Sequence, residues 1–276
     1  MGPKRCFELP AFFRALFLIL SAVVYTGLLG PPALLVSLLG RSGRGASFFQ
    51  RLWVDWLLAT NGIRLELKGM ENLEKDQRYI LVSNHASILD IPAIVWSVPF
   101  PVRFLAKRSL AWFPIFGWFL YLSGHLLIDR RSAQSALRSL KKAPSLLRKG
   151  ISLIVFPEGT RSPDGEMKEF KRGAFLLAQH SGYPVVPVSI AGTYEMIPRH
   201  GWCFWNGTIY VRMAKPIPTR DLSPGEAKDL MRRVRETIIE NLKKEKAEQE
   251  VRKRERGERP HEGREEAGGR MQEHRC

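Results

Sequence analysis

Cysteine is scarce in this sequence: three in 276 residues, Cys6, Cys203 and Cys276, far apart from one another. That spacing gives neither a disulfide framework nor a zinc signature. It disfavours metal catalysis by a Cys/His cluster, and a cytosol-facing chain is expected. Acidic charge is also short. Lys and Arg number 43 against 27 Asp and Glu, a formal net charge of +16. The excess does not sit in the C-terminal tail, because residues 243–276 hold 11 basic and 9 acidic side chains while residues 41–150 hold 17 and 7. A basic body calls for an anionic partner: nucleic acid, an anionic membrane surface or a phosphorylated substrate. No internal repeat is present. Hydrophobic residues at 45% exclude a wholly disordered chain, and the length suits one domain with a core and an appendage.

Apolar sequence is concentrated at the N-terminus. Residues 15–40 run 26 positions without a charge. One straight helix of that length would reach about 39 Å at roughly 1.5 Å per residue. Gly30-Pro31-Pro32 interrupts the run, since proline lacks a backbone donor and crowds the preceding turn, so the first helix is expected to end near Leu29. A secretory signal peptide competes with this reading, but no clean small-residue cleavage site follows and a basic stretch does. Lys4, Arg5 and Arg14 precede the run, and Arg41, Arg44 and Arg51 follow it. Basic flanks on both sides give no direction for a single span and fit a hairpin that dips into a membrane and returns. In residues 48–58, Phe49, Leu52, Trp53 and Trp56 recur at helical spacing, with Gln50, Arg51 and Asp55 opposite. Such a helix suits a membrane interface, although Leu52 and Leu57 fit a core helix equally well.

The rest alternates. Short apolar runs at Tyr79–Ser83, Arg103–Ala106, Leu126–Ile128, Ser152–Phe156, Val185–Ile190 and Thr208–Met213 are candidate strands. Between them, a helix is expected from Ser132, with Ala136, Leu137 and Leu140 inward, split by Pro144 and closed by Gly150. A second short helix spans Gly173–Ser181 and stops at Gly182, and a charged helix runs over 224–250 before the chain becomes a polar tail. Strands alternating with helices predict an α/β domain. Leu110–Leu122, LAWFPIFGWFLYL, has almost no polar atoms. A buried helix is one reading; its many large aromatics favour a membrane-touching surface or the lining for an acyl chain. The chain is therefore divided into a two-helix membrane anchor (1–61), an α/β domain with a mixed sheet flanked by helices (62–242) and a charged, disordered tail (243–276).

Four blocks carry the chemistry. Asn84-His85-Ala86-Ser87-Ile88-Leu89-Asp90 leaves the strand YILVS. Five residues along a continuous helix would point His85 and Asp90 about 140° apart. They meet only if His85 lies on the turn and Asp90 on the first helical turn. The carboxylate then holds one ring nitrogen protonated and leaves the other free as a base for a substrate hydroxyl. Phe156-Pro157-Glu158-Gly159-Thr160-Arg161-Ser162 ends another strand. Arg161 offers a fork of donors suited to phosphate, with Thr160, Ser162 and the loop amides beside it. Gly124-His125-Leu126-Leu127-Ile128-Asp129-Arg130 is a third block and Val186-Pro187-Val188 a fourth. Each alone reads equally as a structural turn or strand. Delivery of His85, Arg130 and Arg161 from three strand ends strengthens all three, since ligands of α/β sheets gather there.

In this order the four blocks resemble the glycerolipid acyltransferases, specifically the 1-acyl-glycerol-3-phosphate acyltransferases, over roughly residues 45–220. NHASILD matches that family's N-H-x-x-x-x-D block, GHLLIDR its second, FPEGTRS its third and VPV its fourth. The resemblance implies transfer of a fatty acyl group from a thioester, acyl-CoA or acyl-carrier protein as co-substrate, to the sn-2 hydroxyl of lysophosphatidic acid, giving phosphatidic acid. It makes His85 the general base and Asp90 its orienting partner. Glu158, Gly159, Thr160 and Arg161 become phosphate-pocket residues with Arg130 assisting, and Ala106-Lys107-Arg108-Ser109-Leu110 makes Lys107 a further phosphate contact. Arg108-Ser109 and Leu127 depart from the family's usual residues, which touches substrate preference and not the reaction. Backbone amides near the Glu158–Thr160 turn would stabilise the tetrahedral oxyanion. Neither a metal, a cofactor nor a covalent acyl-enzyme is required, and a membrane location with the active site on the cytoplasmic face is expected.

Rival readings remain at this stage. The acceptor could be glycerol 3-phosphate, another lysophospholipid or a lyso-ornithine lipid. A non-catalytic membrane lipid-binding protein is opposed by the intact His85/Asp90 pair. A nucleic-acid binder is opposed by the apolar N-terminus and by the lack of any binding motif, so no nucleic acid is expected as partner. Asn206-Gly207-Thr208 fits a glycosylation acceptor and is read as coincidence.

Overall fold

A computed structural model describes residues 9–39, 44–128, 143–199, 203–223 and 225–255. The chain opens with two antiparallel helices, α1 (Leu9–Leu39) and α2 (Arg44–Thr60). Their direction follows from three contacts. Gly45 lies against Val36, Trp53 Nε1 donates to Thr26 Oγ1 at 3.1 Å, and Asn61 Nδ2 donates to Ser21 Oγ at 3.1 Å.

The first helix does not stop near Leu29. It runs through Pro31 and Pro32 to Leu39. A proline ring crowds the carbonyl four residues back, here that of Gly27, and Gly27 has open space where a side chain would stand. Tertiary contacts then override the local penalty. At Gly30 the loop residue Ile115 comes so close that an added Cβ would sit 2.2 Å from its Cγ2. Ile115 itself has φ = 61°, which a β-branched residue rarely adopts. The outer face of α1 is apolar and exposed, from Leu9, Phe12 and Phe13 to Leu35 and Leu38. By length and composition, α1 is long and apolar enough to cross a membrane.

Seven strands follow: β1 (Arg64–Lys68), β2 (Ile80–Ser83), β3 (Val102–Lys107), β4 (Leu126–Ile128), β5 (Ser152–Val155), β6 (Val185–Ala191) and β7 (Thr208–Met213). They form one sheet in the order β1-β7-β6-β2-β5-β3-β4, parallel throughout except for β6 against β7. This is the mixed α/β sheet that the sequence predicts. The edge strand β1 was not anticipated, although Leu65 and Leu67 alternate with Arg64, Glu66 and Lys68. The central strands read as continuous apolar runs because both faces are covered. Leu81, Ile154, Val186 and Val188 face a core shared with α2 and with α3 (Asp90–Ser97). Ile80, Val82, Leu153 and Val155 face the opposite core. That core holds Phe175 and Ala178 of α6 (Gly173–Ser181) and Leu230, Val234 and Ile238 of α8 (Ala227–Glu255).

Two further expectations need correction, and the less favoured reading of Leu110–Leu122 is excluded. Leu110–Leu122 is not one buried helix. It is a 3-10 turn, Arg108–Trp112, and then α4, Phe116–Leu122, with Trp112 85% and Tyr121 70% exposed. The charged helix expected over 224–250 is α8, and it continues to Glu255, so the assignment of 243–255 to the tail does not hold. Its Glu245 pairs with Lys68 of β1 at 3.3 Å and with Arg212 of β7 at 3.1 Å, and Glu248 pairs with the same two cations. These ion pairs fasten a mostly polar helix to the sheet edge, which a search for apolar periodicity overlooks. Cys203 is disulfide-bonded, a pairing that the wide spacing of the three cysteines did not suggest. The helix expected after Ser132 lies largely outside the described residues. Its end is seen as α5, Ala143–Arg148, with Pro144 in the first turn where proline is tolerated.

The α1–Ile115 contact is testable by thermal unfolding of detergent-solubilised protein. Gly30→Val should lower stability by about 1–3 kcal/mol through overpacking. Gly27→Ala, in open space, should raise it by about 0.5–1 kcal/mol. Equal effects at the two positions would mean that α1 does not rest on Ile115.

Candidate active site

The carboxyl ends of β6, β2, β5 and β3 lie side by side along one edge of the sheet. Each delivers polar side chains. His85 follows β2, Glu158 and Arg161 follow β5, Lys107 closes β3, and Thr193 follows β6 as the first residue of α7 (Thr193–Met196).

His85 sits on the turn and Asp90 is the first residue of α3, so the two side chains converge instead of diverging. His85 Nδ1 lies 2.8 Å from Asp90 Oδ2. The same oxygen accepts the backbone N–H groups of Ala86 and Ser87, each at 2.8 Å, and Oδ1 accepts the Thr193 hydroxyl at 2.6 Å. Asp90 is fully buried. With four donors its ionised form replaces the hydration it has lost. The His85 ring stacks on Phe156 at 4.1 Å between centroids, which fixes its plane. Among the described residues, no protein group bonds Nε2.

Glu158 is not where a phosphate contact would be. It is 4% exposed, and its two oxygens accept backbone N–H groups, Oε1 from His85 at 2.7 Å and Oε2 from Lys168 at 3.0 Å. Burial raises its carboxyl pKa, while those two bonds and the His85 charge oppose the rise. The Ser162 N–H donates to His85 O at 2.8 Å, so the third block clamps the His85 backbone from both sides. The Gly159 N–H donates within its own turn to Phe156 O at 3.1 Å. The other block histidine, His125, lies away from this centre. It accepts from the Phe104 N–H, and burial, followed by the charge of the neighbouring Arg103, holds it well below the ordinary histidine range.

A cavity of about 920 Å³ opens at His85 and runs between α1, α2 and the domain. Its walls are apolar over most of their length, including Leu18, Leu29, Trp53, Ile115 and Phe119. At the His85 end it is lined by Lys107, Arg161 and Arg199. Burial lowers the Arg161 guanidinium pKa, the adjacent Arg199 lowers it further, and Asp90 partly offsets both. Among the described residues, Arg199 donates only to the backbone oxygen of Arg161, at 2.9 Å. Among the described residues, none of the three cations has a carboxylate partner. Glu158, Gly159 and Thr160 do not line the cavity, and Arg130 lies outside the described residues.

The family model described as Acyltransferase matches residues 64–191, the stretch from β1 to the end of β6. The chain is 35% identical over 231 residues to the 1-acyl-sn-glycerol-3-phosphate acyltransferase of Saccharomyces cerevisiae, covering 82% of this chain and 76% of that protein. It belongs to the 1-acyl-sn-glycerol-3-phosphate acyltransferase family. The Limnanthes alba and Homo sapiens alpha proteins of that name are also 35% identical to it, over 68% and 64% of this chain and 66% and 63% of theirs. The chain thus spans just under two thirds of those two relatives. The crystal structure of the 1-acyl-sn-glycerophosphate (LPA) acyltransferase PlsC from Thermotoga maritima matches with a TM-score of 0.72 and 31% identity, over 87% of this chain and 97% of that one. The protein is an O-acyltransferase of phospholipid metabolism.

Two residues of this acyltransferase's site had been passed over in the sequence. Arg199 follows α7 with no motif around it, and Thr193 lies 103 positions from the carboxylate it contacts. Spacing reveals neither; the only sequence hint was that both follow the fourth block.

The geometry at Glu158 separates two roles by sign. Glu158→Gln should lower kcat and stability with little change in the acceptor KM. Its amide would set an N–H group against a backbone N–H and leave one donor unpaired, at about 1–3 kcal/mol. A phosphate contact would respond oppositely, because removing a negative charge would lower the acceptor KM. Steady-state kinetics on the purified variant distinguish the two.

Proposed function

We propose that this acyltransferase moves a fatty acyl group from acyl-CoA or acyl-carrier protein to the sn-2 hydroxyl of 1-acyl-glycerol-3-phosphate, yielding phosphatidic acid. The observation that carries this reading is one cavity with two chemistries: a cationic end at His85 and an apolar remainder. A phosphate monoester dianion suits Lys107, Arg161 and Arg199, which have no carboxylate partner among the described residues. The apolar length suits the acyl chain of an amphipathic lipid and favours it over the small, wholly polar glycerol 3-phosphate. The names of the relatives point to the same acceptor.

In this reading His85 Nε2 takes the hydroxyl proton as that oxygen bonds the thioester carbonyl carbon. Asp90 holds the ring and stabilises the imidazolium. The carbonyl oxygen becomes a tetrahedral oxyanion. With the Gly159 N–H engaged and Thr160 off the cavity wall, the Arg161 N–H remains to receive it, since it has no acceptor among the described residues. Collapse breaks the carbon–sulfur bond, and the leaving thiolate takes the proton from His85. The chemistry calls on no metal or cofactor. Glu158 acts as a brace for the His85 backbone.

The protein is proposed to sit on the membrane by lateral embedding. The outer face of α1 and the exposed Trp112, Phe113, Trp118 and Tyr121 enter the lipid together, while the inner face of α1 stays packed on the domain. A lipid acceptor then reaches the cavity without leaving the bilayer. The flanking basic residues favour the cytoplasmic face.

Four measurements test the reading. Purified protein should acylate 1-acyl-glycerol-3-phosphate faster than glycerol 3-phosphate, lysophosphatidylcholine or a lyso-ornithine lipid, with acyl-CoA and acyl-carrier protein offered separately. His85→Ala should lose roughly 10²–10⁴-fold in rate while remaining folded. Arg161→Ala should raise the acceptor KM more than the thioester KM. Membrane fractions washed with carbonate should keep the protein. Near-normal turnover by folded His85→Ala, or preference for an uncharged acceptor, would overturn the assignment.

A further inference from the structure

We propose that Thr193 is a positioning residue for the catalytic pair: its hydroxyl fixes the orientation and charge of Asp90, and through Asp90 the basicity of His85. The inference rests on the reading of His85 as the base.

The argument starts from what Asp90 would lack without it. Both residues are buried, Asp90 at 0% and Thr193 at 1% exposure. The donors to Oδ2 all come from the same short loop, His85, Ala86 and Ser87. Oδ1 has one donor among the described residues, the Thr193 hydroxyl at 2.6 Å. An ionised carboxylate accepts only, so the hydroxyl donates. Three bonds to one oxygen leave the plane of the carboxyl group free to turn about that oxygen. The fourth, from the far side of β2, removes that freedom.

The sequence around Thr193 is arranged for this reach. Gly192 has φ = 90°, and a Cβ there would meet Thr208 O at 2.5 Å, so only glycine lets the chain turn from β6 into α7 past β7. Immediately after α7, Ile197 O accepts the Ser87 hydroxyl at 2.8 Å, which ties the segment to the His85 loop a second time. Threonine suits the position because its branched Cβ restricts χ1 and therefore the direction of the hydroxyl.

The electrostatic consequence has a definite sign. The Thr193 bond stabilises the state in which Asp90 is ionised and His85 is neutral and ready to accept a proton. It stabilises less the state in which the pair holds an extra proton, because the imidazolium already satisfies the carboxylate there. Deleting the donor lets the pair keep its proton to higher pH, so the acid limb of the rate profile moves upward. The other charged groups facing the pair are Glu158, which feels both His85 and Asp90, and Arg161, which feels Asp90; Lys107 and Arg199 line the same cavity. A Thr193 substitution alters none of them.

The experiment compares wild type, Thr193→Val, Thr193→Ala and Thr193→Ser as full-length protein in detergent, with kcat and both KM values measured against pH. Thermal unfolding controls for folding. Thr193→Val keeps the shape and removes the donor. It should lower kcat by on the order of tenfold, leave both KM values within about twofold, and move the acid limb up by about one pH unit. Thr193→Ser should restore the wild-type rate and limb. If the valine variant does not fold, the alanine variant carries the same expectation. An unmoved limb in a folded variant lacking the hydroxyl overturns the inference, as does a serine variant as impaired as valine, which would indicate packing alone. His85→Ala is the separate check: turnover near wild type there removes the base on which this inference rests, whatever Thr193 does.

Discussion

The site depends on one buried charge. Asp90 has no solvent to stabilise it, so the fold must supply donors, and four converge on its two oxygens. Those bonds require a tight turn after β2, a helix that starts at Asp90 and a β6–α7 corner with glycine at its apex. The third block meets the same demand from below. Glu158 and Ser162 bind the two backbone polar groups of His85, so the histidine is fixed through its main chain while Asp90 fixes its ring. Parallel strands β6, β2 and β5 are what bring these three segments to one edge.

A second constraint is electrostatic, and it is left open by the protein itself. Arg161 and Arg199 lie close enough for each charge to oppose the other, and no carboxylate intervenes among the described residues. A cluster of like charges in a partly desolvated cavity is stabilised by an anion that enters it. The adjoining apolar cavity is bounded on one side by α1, whose opposite face is exposed and apolar. In the proposed reading, charge recognition and chain accommodation meet where the helical pair rests on the domain, and His85 lies at their junction.

The sequence made some of this legible and hid the rest for identifiable reasons. Most strands are visible because buried parallel strands are short, mostly apolar runs. Strand β1 alternates and was overlooked. The proline pair in α1 looked like a stop because local penalties are readable, whereas the packing of Gly30 on Ile115 that offsets them is not. The end of α8 reads as fading into a tail because it is charged, but its Glu245 and Glu248 are paired with Lys68 and Arg212 on distant strands. Glu158 stood inside a block rich in phosphate-binding residue types, and only its two backbone contacts separate it from them.

By itself the sequence determined the family's reaction machinery and the character of the surroundings. The His85–Asp90 spacing, the FPEGTRS turn and the long uncharged N-terminus are local patterns, set by residues near one another in the chain. Tertiary structure decided which residues share the site. Thr193 reaches Asp90 across 103 positions, Arg199 comes to Arg161, and Glu158 turns inward to the backbone. These pairings depend on strand order, and strand order is a property of the folded sheet that no single segment carries.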